Sequence, residues 1–176
     1  MTQRVEEFVL ASAAGKSASL TASLAGKRAA VVAFWSGVCS HCQRYDGYLN
    51  DFVDRHPEVA LLVVACREDE DLEAVLGTAA ERQLRFPILL DADRSLAHQW
   101  QVHQTPRVFL LTPDLQVVYR GAIDNFTYPE DPEHCPYLET AITEHLAGQP
   151  LSRVETASFG CPIESVYYQL PKPFSH

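Results

Sequence analysis

Val31-Val-Ala-Phe-Trp-Ser-Gly-Val-Cys-Ser-His-Cys-Gln-Arg44 is the stretch whose reading decides the fold. Its opening residues, continuous with Ala29-Ala30, are small, β-branched or aromatic and carry no charge, as in a strand buried on both faces. Ser36-Gly37 breaks the run, and two cysteines follow, two residues apart, at the start of a segment with helical periodicity. A strand that delivers Cys-x-x-Cys to the first turn of a helix is an arrangement suited to thiol–disulfide chemistry.

Working outward, Phe8–Ala11 and Ser17–Leu20 stand either side of Gly15 and predict a small hairpin. Leu24-Ala-Gly-Lys27 is a second break. After Cys39, the apolar positions Tyr45, Tyr48, Leu49, Phe52 and Val53 predict one helix as far as about His56, ended by Pro57. Val59–Ala65 reads as a second buried strand. Asp69 to about Gln83 reads as a helix with acids in its first turn, where the helix dipole favours them. Phe86–Leu90 is a short strand, and Asp91-Ala-Asp93 leads into a short helix through Leu96, Ala97 and Trp100. Arg107–Thr112 and Gln116–Arg120 flank Pro113-Asp-Leu115 as an antiparallel hairpin. A Pro- and acid-rich loop, 125–133, precedes a last amphipathic helix through Leu138, Ala141, Ile142, His145 and Leu146, closed by Gly148.

This order predicts an α/β chain whose central mixed β-sheet is flanked by helices on both faces. Residues 1–148 form the expected domain. Residues 149–176 have no periodicity and read as a C-terminal tail packing on it.

The 176 residues suit one domain with a substantial core. A formal charge of −9 argues against nucleic acid and anionic membranes as partners, because both select clustered Lys and Arg. No apolar run reaches the ~20 residues of a membrane span. Met1–Phe8 carries acids where a signal peptide would be apolar, so none is visible. The expectation is a cytoplasmic protein or an exported one lacking its leader. With five cysteines, an odd number, at least one is unpaired in any intramolecular arrangement.

Gly26-Lys-Arg28, Phe34-Trp35, Cys39-Ser-His-Cys42 and Thr105-Pro106 fall in the order seen in thioredoxin-like proteins. More narrowly the chain resembles the redoxin branch, which includes the alkyl hydroperoxide reductase/thiol-specific antioxidant (AhpC/TSA) and peroxiredoxin-like proteins. Tyr119-Arg-Gly-Ala-Ile-Asp124, Leu146-Ala-Gly-Gln-Pro150 and Glu155-Thr-Ala-Ser-Phe-Gly-Cys-Pro-Ile163 extend the similarity over nearly the whole chain. The resemblance implies a thioredoxin-like fold with an N-terminal hairpin, and a cis Thr105–Pro106 bond facing the dithiol. It also implies that the Thr105 backbone pairs with an extended substrate segment. Three positions depart from the pattern: Gln43 stands where a proline follows the second cysteine, Val38 where thioredoxins carry Trp, and Ala33 where they bury an acid. The usual proton acceptor for Cys42 is therefore missing from its place.

Cys39 is the candidate nucleophile, because unpaired N–H groups at a helix start stabilise a thiolate. Cys42, one turn on, is placed to attack a mixed disulfide. His41 between them, with Trp35 and Ser36, would tune the site, and Thr105 and Pro106 are the candidate substrate-binding residues. Neither a cofactor nor a metal is expected: a four-ligand zinc site lacks its second ligand pair. The alternative to a redox dithiol is a structural disulfide.

Cys161 is a candidate third redox cysteine. A buried tail anchor or a bridge to Cys135 are its other readings, and a structural role is favoured. Cys66 reads as a small buried hydrophobe, His98 and His103 as surface residues, and Glu68–Asp71 as a solvated helix start that also lies just after a strand's C-terminal end, where sites in such sheets gather.

The leading function is a thiol:disulfide oxidoreductase acting on protein or small-molecule thiols and disulfides, with a redox partner the sequence does not name. A thiol peroxidase with Cys39 as the peroxidatic cysteine is second. Ser36-x-x-Cys39 fits its spacing, but the proline that normally precedes the Ser is absent. A copper-binding chaperone is third, and its wider cysteine spacing counts against it.

Overall fold

A computed structural model describes residues 3–164 of the chain. In order, the elements are β1 (Gln3–Arg4), β2 (Val9–Ala11), β3 (Ser17–Ser19), α1 (Leu20–Leu24) and β4 (Ala29–Trp35). Then come α2 (Ser40–Gln43), α3 (Asp46–Arg55), β5 (Val59–Ala65), α4 (Leu72–Glu81), β6 (Ile88–Leu90) and α5 (Ser95–Gln99). The last are β7 (Gln104–Thr105), β8 (Arg107–Leu111), β9 (Gln116–Gly121), α6 (Tyr137–Leu146) and β10 (Cys161–Pro162).

Six strands form the central sheet in the order β1-β9-β8-β4-β5-β6. β4–β5 and β5–β6 run parallel, while β4–β8, β8–β9 and β1–β9 run antiparallel, so the sheet is mixed. β4 lies in its interior, as its uncharged run requires, and all seven of its residues are buried.

The two-residue period of the strand sorts that run onto two cores. Ala29, Val31, Ala33 and Trp35 pack with Leu49, Phe52, Val75, Leu138 and Ile142 from the helices on one face. Ala30, Val32 and Phe34 pack on the other with Leu20, Leu24, Leu96, Ala97 and Trp100. There the Trp100 ring meets Phe8, Phe34 and Phe109 edge-on, with centroids 5.0–5.8 Å apart. The short α5 is capped by the buried Asp91 carboxylate, which accepts from Leu96 N at 3.1 Å and Ala97 N at 2.8 Å.

Three local features differ from the pattern in the sequence. The helix expected over 39–56 is two pieces, α2 and α3, joined at Arg44-Tyr45. Tyr45 sits at φ −102°, ψ 11°, and its hydroxyl donates to Asp124 Oδ1 at 2.5 Å. Arg44 lies over the Phe126 ring at 4.2 Å and donates to Thr127 O at 2.5 Å. Contacts to the 123–128 loop thus hold the joint, and the helical spacing of apolar residues survives across it. The Leu24-Ala-Gly-Lys27 break follows a helical turn, α1, which is capped by Ser19 accepting from Ala22 N at 3.1 Å. Gln3-Arg4 adds an edge strand beside β9. The hairpin around Gly15 (φ +88°) forms as expected, as does the β8–β9 pair.

No helix among the described residues is long and apolar enough to cross a membrane.

Candidate active site

The C-terminal end of β4 sets the site. Trp35 closes the strand and is buried, with its ring edge-on to Phe86 and the Arg82 guanidinium 5.8 Å from its centroid. Ser36 begins the break and is equally buried. Its N–H donates to Cys42 Sγ at 3.4 Å. Cys39 is the N-cap of the single-turn α2: its carbonyl accepts from Cys42 N and Gln43 N, both at 3.0 Å, and its side chain makes no capping hydrogen bond. The His41 ring packs on Phe126 at 5.0 Å, and its Nδ1 is buried without a hydrogen-bond partner.

The structure departs from expectation in which sulfur partners Cys39. Cys39 is disulfide-bonded to Cys161 of the tail, with Cα atoms 5.9 Å apart, while Cys42, Cys66 and Cys135 are free thiols. The bridge between Cys161 and Cys135 weighed from the sequence is not formed. The physical reason is the path of the tail: β10 pairs antiparallel with β7, and the register sets Cys161 opposite Thr105. Thr105 is buried, its bond to Pro106 is cis, and its carbonyl oxygen lies 3.6 Å from Cys39 Sγ. The edge expected to receive a substrate strand is thus occupied by the chain's own segment.

Cys42 is fully buried, and burial pushes its thiol up to about 11, against the pull of the Thr105 hydroxyl and the Ser36 N–H. Cys66 is also buried, and burial again raises its thiol.

Of the acids in Glu68–Asp71, Glu70 is the one that belongs to the site. Its Oε2 accepts from Gly37 N at 2.7 Å and Val38 N at 3.2 Å, so it holds the loop between β4 and Cys39. Burial raises its carboxyl, opposed by those two N–H groups. Its charge also bears on Cys42, in the direction that disfavours the thiolate. An acid therefore acts on Cys42 although Ala33 leaves the usual place empty, and it comes from the loop between β5 and α4 rather than from β4. The signal was its position just past the C-terminal end of a parallel strand, where sites in such sheets gather. Arg82 completes the support, donating to Gly37 O at 2.7 Å and Asp46 Oδ1 at 2.9 Å.

Around the disulfide, Val38 (59% exposed), Phe126 (41%) and Phe159 (64%) leave an apolar rim in solvent. Beside α3, a cavity of about 520 Å³ lies between Arg44, Tyr48, Arg55, Asp124 and His134.

The family model for the AhpC/TSA family matches residues 1–120. Thiol-disulfide oxidoreductase ResA of Bacillus cereus is 28% identical over 111 residues, which cover 63% of this chain and 63% of that protein. The chain thus matches somewhat less than two thirds of that curated relative's length. A hypothetical protein of Sinorhizobium meliloti superposes with a TM-score of 0.80 at 26% identity, covering 93% of both chains. A putative thiol:disulfide interchange protein DsbE of Chlorobium tepidum superposes with a TM-score of 0.68 at 18% identity, over 82% of this chain and 96% of that one. The fold is thioredoxin-like.

Proposed function

This chain belongs to the AhpC/TSA family, and we propose that it is a thiol–disulfide oxidoreductase whose exchanging sulfur is Cys39 Sγ. The observation that carries the reading is the Cys39–Cys161 disulfide seated against the Thr105 backbone, with a free thiol, Cys42, one helical turn away. In the reduced protein, the Cys39 thiolate attacks one sulfur of a substrate disulfide, forming a mixed disulfide and releasing the other sulfur as a thiol. A second thiol of the chain, Cys42 or Cys161, then attacks Cys39, frees the reduced substrate and leaves an intramolecular disulfide. A thiol or dithiol redox partner restores the starting state. Trp35 and Ser36 hold the loop that carries Cys39, and Thr105 and Pro106 present the backbone edge a protein substrate would pair with.

Dithiothreitol-driven reduction of insulin disulfides tests the assignment. Cys39→Ser is expected to fall to background while the protein keeps its fold by circular dichroism. Full activity in that variant refutes it.

Peroxidase chemistry at the same sulfur is a second reading, favoured by the position of Cys161. A peroxide would convert Cys39 to a sulfenic acid, and condensation with the Cys161 thiol would give the same disulfide plus water. Stopped-flow oxidation by hydrogen peroxide separates the two. A rate constant no higher than that of free cysteine thiolate removes the peroxidase.

A further inference from the structure

The tail is seated by a continuous set of contacts on both sides of its cysteine. Along β9, Arg120 N donates to Val154 O at 3.0 Å, and Thr156 N donates to Arg120 O at 3.1 Å. Thr156 Oγ1 accepts from Ala122 N at 3.0 Å and lies 2.7 Å from Tyr119 Oη. Ser158 then meets the side chains of Gln104 and Arg107. Past Cys161, Ile163 is buried in the second core. Its N–H donates to His103 O at 3.2 Å, and its carbonyl accepts from Glu68 N at 2.8 Å. Glu164 closes the run on Arg94 at 3.1 Å and on His98.

Two glycines make this path sterically open. A Cβ on Gly160 would overlap the Thr105 carbonyl, and a Cβ on Gly121 would overlap Thr156. Backbone atoms of the tail thus lie against the same β7 edge that borders Cys39, closer than any side chain at 160 would permit.

We propose that residues 154–164 are a built-in competitor for the β7 edge, locked in place while the disulfide joins Cys39 to Cys161 and released when Cys42 takes over the bond. The proposal rests on the exchange chemistry assigned above to Cys39. Cys42 is enclosed, so its proton passes to water during a local opening, and the thiolate then attacks Cys39 Sγ. The Cys39–Cys42 bond forms as the Cys39–Cys161 bond breaks, and Cys161 leaves as a thiolate that takes up a proton. The step is an isomerisation, so no external oxidant or reductant is consumed. Burial of Cys42 keeps it as a thiol at neutral pH, which slows the exchange out of the locked state. While Cys161 sits opposite Thr105, an extended segment of another protein cannot pair there. Once the tail leaves, a cysteine-bearing segment can take its register.

Two measurements on the full chain test this. Hydrogen exchange at the Thr156 and Ile163 amides is compared between the protein oxidised at Cys39–Cys161 and the fully reduced protein. Both amides are expected to exchange about tenfold faster or more on reduction, and equal rates overturn the proposal. The second measurement uses the Cys42→Ser, Cys161→Ser background, where a mixed disulfide on Cys39 accumulates. The probe is the peptide Ser-Phe-Gly-Cys-Pro-Ile-Glu, activated as a nitrothiobenzoate disulfide. Gly160→Ala in this background is expected to speed capture about tenfold, the factor that a lost contact of hydrogen-bond strength brings. Thr156→Ala, a milder change, is expected to move it in the same direction. Capture no faster in either variant overturns the proposal. Failure of Cys39 to react with dithiobis-nitrobenzoate, a disulfide too small to need the strand edge, in a Cys42→Ser, Cys66→Ala, Cys135→Ser, Cys161→Ser protein would instead overturn the exchange reading itself.

Discussion

In a Cys66→Ala, Cys135→Ser protein, Cys42 is left as the single free thiol, since Cys39 and Cys161 are joined. Its titration reads the electrostatics of the site, and any exchange onto Cys39 shows separately, because a disulfide-bonded Cys42 has a Cβ shift distinct from thiol and thiolate. The thiol is fully enclosed, and burial raises it from 9.0 to about 11. At roughly 1.4 kcal/mol per unit, that displacement is worth about 3 kcal/mol between the two protonation states. At pH 7 about one thiol in ten thousand is ionised, against about one in a hundred in the unfolded chain. Because the folded value lies above the unfolded one, the stability linked to this group is fully present below about pH 9. It is lost as the pH rises through about 11. With cysteine Cβ isotopically labelled, the NMR shift of Cys42 should stay at its thiol value past pH 9 and move only near pH 11. A midpoint at or below 9 refutes the reasoning, because the Thr105, Ser36 and Arg82 contributions would then outweigh desolvation.

Three further outcomes follow from named contacts. Glu70→Ala strips the acceptor from Gly37 N and Val38 N and should cost about 1–3 kcal/mol in urea unfolding; Glu70→Gln, which keeps an oxygen there, should cost less. With the carboxylate charge gone, the Glu70→Gln protein should also show a lower Cys42 midpoint in the NMR titration. Tyr119→Phe removes a buried hydroxyl that donates to Ala122 O at 2.6 Å and meets Thr156 Oγ1, and should lower the urea midpoint by the equivalent of about 1 kcal/mol. Asp91→Ala uncaps α5 inside the core and should lower stability by about 1–3 kcal/mol, with Asp91→Asn recovering part of it in the same assay.

The parts of the fold that were legible are those where side-chain periodicity does the specifying. Ala29–Trp35 announces a strand covered on both faces, and its alternate residues do supply both cores. Pro113-Asp-Leu115 between two largely apolar runs announces the β8–β9 hairpin. What was not legible is held by contacts that leave no period. The Arg44-Tyr45 joint depends on Asp124 and Thr127, about eighty residues away. β1 has only two residues, too few to show alternation.

The candidate site divides the same way. Cys39 and Cys42 are visible from spacing alone, whereas Glu70 looks like any other acid in Glu68–Asp71 until the fold turns it toward Gly37. The tail was the hardest to read, because its path is fixed by backbone pairing and by the absence of a Cβ at Gly160 and Gly121. The adjacent Gly160-Cys161-Pro162 was the available cue: a cysteine placed beside a residue that permits close backbone approach.

The seating of Ile163 has a kinetic consequence. Only fourteen residues, 147–160, separate the end of α6 from Cys161, so a freed tail stays tethered close to the edge it has left. A short tether of this kind holds its end at an effective concentration on the order of millimolar. The burial of Ile163 adds an affinity that a foreign cysteine segment lacks unless it too offers an aliphatic residue two positions after its cysteine. A protein substrate would therefore have to outbid a local rival by fit rather than by abundance, and the tail would return as soon as the substrate departs.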